Sequence, residues 1–85
     1  MDSEVLAKVI QMAADQVGVD PKQVSAESHF VNDLNYDSLD HVDFAMKIED
    51  EFGVSVPDED VDRFKFVRDV ADYISANRQP KPAAT

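Results

Sequence analysis

Ser38 lies in the run Leu34-Asn35-Tyr36-Asp37-Ser38-Leu39-Asp40-His41, where a polar loop gives way to an amphipathic helix. As a nucleophile this serine would need a base, a group to orient that base, and an oxyanion hole. His41 is the nearest base, but no Gly-x-Ser-x-Gly elbow surrounds Ser38, and the flanking Asp37 and Asp40 would oppose an oxyanion. With Ser38 as origin, His41 falls at about 300° on a helical projection, which makes it an edge-of-core residue. His29 lies in the preceding loop with no role that the sequence assigns. The residue pattern therefore argues against an enzyme. A hydroxyl that is modified by another protein suits the position better. A helix start offers unpaired backbone N–H groups and the positive end of the helix dipole, both of which favour an attached phosphate. Asp37 at the N-cap, with Asp40 three residues on, forms a capping-box-like pair that fixes where the helix begins. The same carboxylates would repel a phosphate, so the acids must also serve something else, and partner recognition is the expected use.

Metal chemistry has one candidate. Asp58, Asp60 and Asp62 are spaced like the opening of an EF-hand loop, the mark of an acidic calcium-binding protein. The sixth position is Arg63 rather than Gly and the twelfth is Asp69 rather than Glu, so the loop fails and no metal site is assigned. Arg63-Phe64-Lys65-Phe66-Val67-Arg68 mixes bases with aromatics as nucleic-acid readers do. A net charge of −10 argues against that use, and core packing of both Phe residues is expected.

The charge is unevenly placed. Twelve of the 18 acids lie between Glu27 and Asp62 with Lys47 their only opposing base, which leaves that segment at −11 and the rest of the chain at +1. A field polarised in this way steers basic partners and repels nucleic acid and anionic membrane. No cysteine is present, so thiol chemistry would have to come from an attached group. The opening Met-Asp-Ser-Glu lacks the features of a signal peptide, and no apolar run nears the roughly 20 residues of a membrane span. A cytoplasmic, monomeric protein without membrane insertion is expected. At 85 residues there is room for one small domain, placed at 1–77, with a disordered tail over 78–85.

The elements that must position Ser38 follow from hydrophobic spacing. Val5, Leu6, Val9, Ile10, Ala13 and Val17 make one stripe and predict a helix over about Ser3 to Val17, stopped by Gly18. Asp20-Pro21-Lys22-Gln23 reads as a single capped turn. A loop over about 25–36 is expected to be pinned by Phe30, Val31 and Leu34. The second helix should run from Asp37 or Ser38 to Phe52, stopped by Gly53. Asp58 to Phe64 suggests a short helical turn, and Val67 to Ala76 a last helix. The fold class is all-α, a small four-helix bundle of three main helices plus one short helix.

The second helix carries two apolar faces. Phe44, Ala45, Ile48 and Phe52 project between about 240° and 340° and must face the core. Leu39, Val42 and Met46 project between about 40° and 100°, on the side of Ser38, with Asp43, Glu49 and Asp50 around them. Two readings fit this second set: cover for the long loop, or a docking surface whose apolar centre is ringed by carboxylates. Lys47, on the back of the helix, is expected to pair with Asp43 and Glu51 four residues away on either side.

Asp37-Ser38-Leu39-Asp40, preceded by Phe30-Val31-Asn32-Asp33-Leu34 and followed by Glu49-Asp50-Glu51-Phe52-Gly53-Val54-Ser55-Val56-Pro57-Asp58-Glu59 and Val70-Ala71-Asp72-Tyr73-Ile74, resembles the acyl carrier protein family. The likeness runs from about residue 3 to 76 and is to the stand-alone, bacterial type II form. It implies a helical bundle that is not an enzyme and that carries 4′-phosphopantetheine on Ser38, moved there from coenzyme A by a phosphopantetheinyl transferase. The arm's thiol would hold acyl groups as thioesters for enzymes of fatty-acid or related synthesis. The resemblance places an acyl pocket at Phe44, Ala45, Ile48, Phe52, Val56, Val61, Phe64 and Ile74. It places a partner surface, meeting basic docking patches, at Asp37, Leu39, Asp40, Val42, Asp43, Met46, Glu49 and Asp50. A peptidyl or aminoacyl carrier, or a carrier specialised outside fatty-acid synthesis, is the alternative within the fold. Asn35-Tyr36 replaces the family's usual Gly-Ala and adds bulk beside the arm. Lys47 departs from a usually neutral position. Phe66 stands where Ser or Thr would cap the last helix, leaving that start less well specified.

Overall fold

Val5, Val9, Ala13 and Ala14 share one fully buried face of α1 (Ser3–Val17), with Leu6, Ile10 and Val17 packed at its margins. The computed structural model describes residues 3–77, so the tail expected from residue 78 lies outside the described residues. Gly18 stops α1 at φ +73°, a conformation that costs a residue with a Cβ about 1–2 kcal/mol. Val19 N–H then closes the end on Ala14 O at 3.1 Å. Asp20 caps a single 3₁₀ turn (Pro21–Gln23) by accepting from Lys22 N–H at 2.9 Å.

The loop that follows is pinned, though not by the three residues expected. Phe30 and Leu34 are buried, while Val31 is 49% exposed. The cause is a tight turn: Asp33 N–H and Leu34 N–H both donate to His29 O, at 2.9 and 3.1 Å, and rotate Val31 outward. The inward place is taken by Tyr36, 3% exposed, whose hydroxyl donates to Ala13 O of α1 at 2.8 Å.

The second main helix, α2 (Ser38–Phe52), begins and ends as its sequence requires, between the Asp37 N-cap and Gly53 at φ +65°. Lys47 does not pair within the helix. Its Nζ donates to Gln16 Oε1 at 2.8 Å and so ties α2 to α1; Lys8 reaches Glu51 across the same seam at 3.6 Å. α3 (Asp58–Val61) is shorter than the predicted Asp58 to Phe64, because the chain beyond it tightens into i→i+3 bonds from Arg63 to Asp60 O and Phe64 to Val61 O.

The last helix, α4 (Val67–Asn77), has a well-fixed start despite Phe66 at the capping position. Asp69 reaches back, its Oδ2 accepting from Phe66 N–H at 2.9 Å and Lys65 N–H at 3.1 Å. The 26–30 loop is fastened alongside by Phe30 N–H to Lys65 O (2.9 Å), Val67 N–H to Ser28 O (3.0 Å) and Arg68 N–H to Ala26 O (2.9 Å). The architecture is the expected all-α four-helix bundle. α1 packs on α2 and α4, α3 packs on α2, and Val9, Phe30, Ile48, Val67, Val70 and Ile74 fill the centre.

Candidate functional site

Ser38 is the first residue of α2 and is exposed. Both halves of the capping box form: Asp37 Oδ1 accepts from Asp40 N–H at 2.8 Å, and Asp40 Oδ2 accepts from Asp37 N–H at 3.2 Å. The first intrahelical bond runs from His41 N–H to Asp37 O at 3.1 Å. The N–H groups of Ser38 and Leu39 therefore open the helix with no intrahelical acceptor. A phosphate on the Ser38 hydroxyl would meet those donors and the positive end of the helix dipole.

His41 is turned away from any work on Ser38. Its Nδ1 donates to Asp37 O at 3.0 Å, and its ring stands edge-on to Phe30 and Tyr36, with centroids 5.7 and 5.4 Å away. Phe44 completes this aromatic cluster, 5.5 Å from Phe30 and 5.9 Å from Tyr36. Tyr36 thus anchors the loop immediately before Ser38 while also lining the groove that Ser38 lines. Burial pushes the Tyr36 phenol well above its ordinary range, and the nearby charge of Asp40 pushes it further.

Ser38 is among the residues that line an open groove of about 810 Å³. Asp37, His41 and Val42 of the α2 start form one wall with Tyr36, His29 and Val31 above them; Asp58, Val61, Asp62, Phe64 and Lys65 form the other. Its lining combines apolar side chains with carboxylates and one ammonium group. Of the residues expected to line an acyl pocket, Val61 and Phe64 reach this groove. Phe44, Ala45, Ile48, Val56 and Ile74 are instead buried in the core, and Phe52 is half-buried at its margin.

The expected partner surface divides in two. Leu39, Val42 and Met46 are 68%, 44% and 59% exposed, so they do not cover the loop. Asp43 and Asp50 are exposed beside them. Glu49 is instead half-buried, and its Oε2 accepts from Val56 N–H at 2.7 Å.

Sequence reasoning missed the work of His29. Its Nδ1 accepts from Val31 N–H and Asn32 N–H, both at 3.1 Å, while the His29 backbone N–H donates to Asp33 Oδ2 at 2.7 Å. The spacing His29-x-x-x-Asp33 was the available signal. Phe64 is buried as expected, but Phe66 is half-buried, held between the edge of His29 (5.2 Å) and the Arg68 guanidinium (4.9 Å). Asp60, one of the three EF-hand-like acids, accepts from the Tyr73 hydroxyl at 2.9 Å.

Residues 7–74 match the family model described as a phosphopantetheine attachment site. The chain is 51% identical over 73 residues to an acyl carrier protein of Thermosynechococcus vestitus, covering 86% of this chain and 90% of that protein. It is 48% identical over 67 residues to an acyl carrier protein of Bdellovibrio bacteriovorus, covering 79% and 86% respectively.

Proposed function

The chain belongs to the acyl carrier protein family, and from that premise we propose that Ser38 is the residue on which its phosphopantetheine is carried. The observation that carries this reading is an exposed serine that opens α2 and lines an open groove, at a helix start whose first backbone N–H groups no helical carbonyl uses. When bound, the group supplies a thiol that holds acyl chains as thioesters, a function that a cysteine-free chain lacks.

The protein's own residues present and shield that cargo. Asp37 and Asp40 hold the serine at a fixed place on the helix start. Val31, Val42, Val61 and Phe64 offer apolar wall along the groove, and the buried residues from Phe44 to Ile74 form the interior that an acyl chain would share. Leu39, Val42 and Met46, with Asp43 and Asp50, face outward for partners whose docking patches are basic. Those partners are a phosphopantetheinyl transferase and the enzymes of fatty-acid or related acyl synthesis. The family is one of carriers, and the commitment of His41 to Asp37 O agrees with a chain that does no catalysis itself. No helix among the described residues is long and apolar enough to cross a membrane; a monomer working in the cytoplasm fits this reading.

Incubation with coenzyme A and a broad-specificity transferase should add one phosphopantetheine by intact mass, and Ser38→Ala should abolish the gain. Modification that persists in Ser38→Ala, or maps to another side chain, would refute the assignment.

A further inference from the structure

At Val56 three helices are drawn together over the apolar core. Its N–H donates to Glu49 Oε2 of α2 at 2.7 Å. One residue earlier, Ser55 O lies 2.9 Å from the Tyr73 hydroxyl of α4, and the same hydroxyl lies 2.9 Å from Asp60 Oδ2 of α3. Val54 and Val56 are buried, so the segment these bonds hold also stoppers the core with two side chains. Tyr73 in turn packs edge-on against Phe64, 5.4 Å away, and Phe64 lines the same groove as Ser38. Tyr73 thus ties a groove residue to the segment that carries Val56.

Glu49 has a second allegiance. It shares the side of α2 that bears Ser38, Val42 and Met46, the side a basic partner would meet. Its Oε2 cannot give its full strength to Val56 N–H and to a partner's guanidinium or ammonium group at once, since each bond draws on the same charge.

We propose that Glu49 is a positioning residue that keeps Val56 closed over the core of the unloaded carrier, and that an entering acyl chain or a partner's cation displaces this latch. The proposal rests on the carrier reading above, because it assumes acyl cargo that shares the core. Two groups compete for one carboxylate, so docking on α2 loosens the segment that seals the cargo's shelter.

Amide hydrogen exchange at Val56 tests the latch in the full-length chain. Wild type, Glu49→Gln and Glu49→Ala are compared with the arm unloaded and with the arm carrying an octanoyl group. In unloaded Glu49→Ala, Val56 should exchange about tenfold faster than in wild type, because a charge-assisted bond is lost. Amides of Val9 and Val70 should keep their rates. Glu49→Gln retains a neutral acceptor and the fold, and should fall between the two. Octanoyl loading should speed Val56 exchange in wild type by a similar factor and add little in Glu49→Ala. A wild-type rate at Val56 in unloaded Glu49→Ala would overturn the latch, as would undiminished Val56 protection in loaded wild type. Failure to load shows separately as an unchanged intact mass. It would refute the carrier reading and leave the unloaded comparison to judge the bond alone.

Discussion

Replacing Tyr36 with Phe removes one oxygen and leaves the ring that packs on Phe30, His41 and Phe44 at 5.0, 5.4 and 5.9 Å. What is lost is a buried, neutral hydrogen bond from the hydroxyl to Ala13 O at 2.8 Å. Such a bond contributes about 1 kcal/mol net. In a domain of this size that lowers the melting temperature by about 4–8 °C. The pH dependence tests the cause more sharply. Burial raises the Tyr36 phenol well above its ordinary value, with the Asp40 charge adding to the effect, whereas in the unfolded chain it titrates near about 10. A folded-state pKa raised above the unfolded one stabilises fully below the unfolded value, and that contribution is lost as pH rises through it. Above about pH 10 the wild type should therefore lose stability by up to about 1.4 kcal/mol per pH unit from this group alone. Tyr73 acts in the same direction, raised by burial first, then by its bond to Asp60 and the charges of Asp60 and Glu49. Thermal unfolding followed by circular dichroism from pH 7 to 11 should show Tyr36→Phe less stable at neutrality but flatter in alkali, so that the two curves converge. Parallel curves would refute the argument, since they would mean that the hydroxyl is not held protonated by the fold.

Asp37→Ala removes the N-cap and should cost about 1 kcal/mol by urea unfolding; an unchanged midpoint would show that Asp40 fixes the helix start alone. Leu39→Ala and Met46→Ala remove exposed side chains, so stability should shift by less than about 0.5 kcal/mol while KM of an acyl-transferring partner rises; an unaltered KM would remove both from the docking surface. Gly53→Ala meets no atom within 4 Å but must hold φ +65°, which should cost about 1–2 kcal/mol in thermal unfolding.

Local chemistry was readable in the sequence where it acts over a few residues. The stripe from Val5 to Val17, the Asp37–Asp40 box and the stops at Gly18 and Gly53 each depend on neighbours within one or two turns. Helical projection alone also separates Leu39, Val42 and Met46 from Phe44, Ile48 and Phe52, but it left open whether they cover the loop, and their exposure came from the fold. Bonds that join distant segments were not. Tyr36 finds Ala13 O across 23 residues, and Lys47 finds Gln16 across 31; spacing along one helix cannot reveal either. The groove was hidden for the same reason, since its second wall is brought to Ser38 by the packing of residues 58–65. The start of α4 is a different kind of miss. Asp69, three residues after Phe66, supplies the backward half of a capping box, and its absent Ser or Thr partner drew attention away from it.

The distribution of acids now has a physical division that net charge concealed. Asp33, Asp37, Asp40, Glu49 and Asp69 each accept from a backbone N–H, and Asp60 accepts from Tyr73. These carboxylates neutralise orphan donors at turns and helix starts, and the fold needs them whether or not a partner exists. Asp43 and Asp50 stand exposed beside the apolar trio and do no comparable structural work in the bundle. Repulsion among so many acids opposes folding, so acids retained without a structural bond argue for a use outside the domain. Under the carrier role proposed above, docking would fall first on Asp43 and Asp50. Glu49 stands between the classes, bonded to Val56 N–H within the fold yet placed on the face proposed for partners.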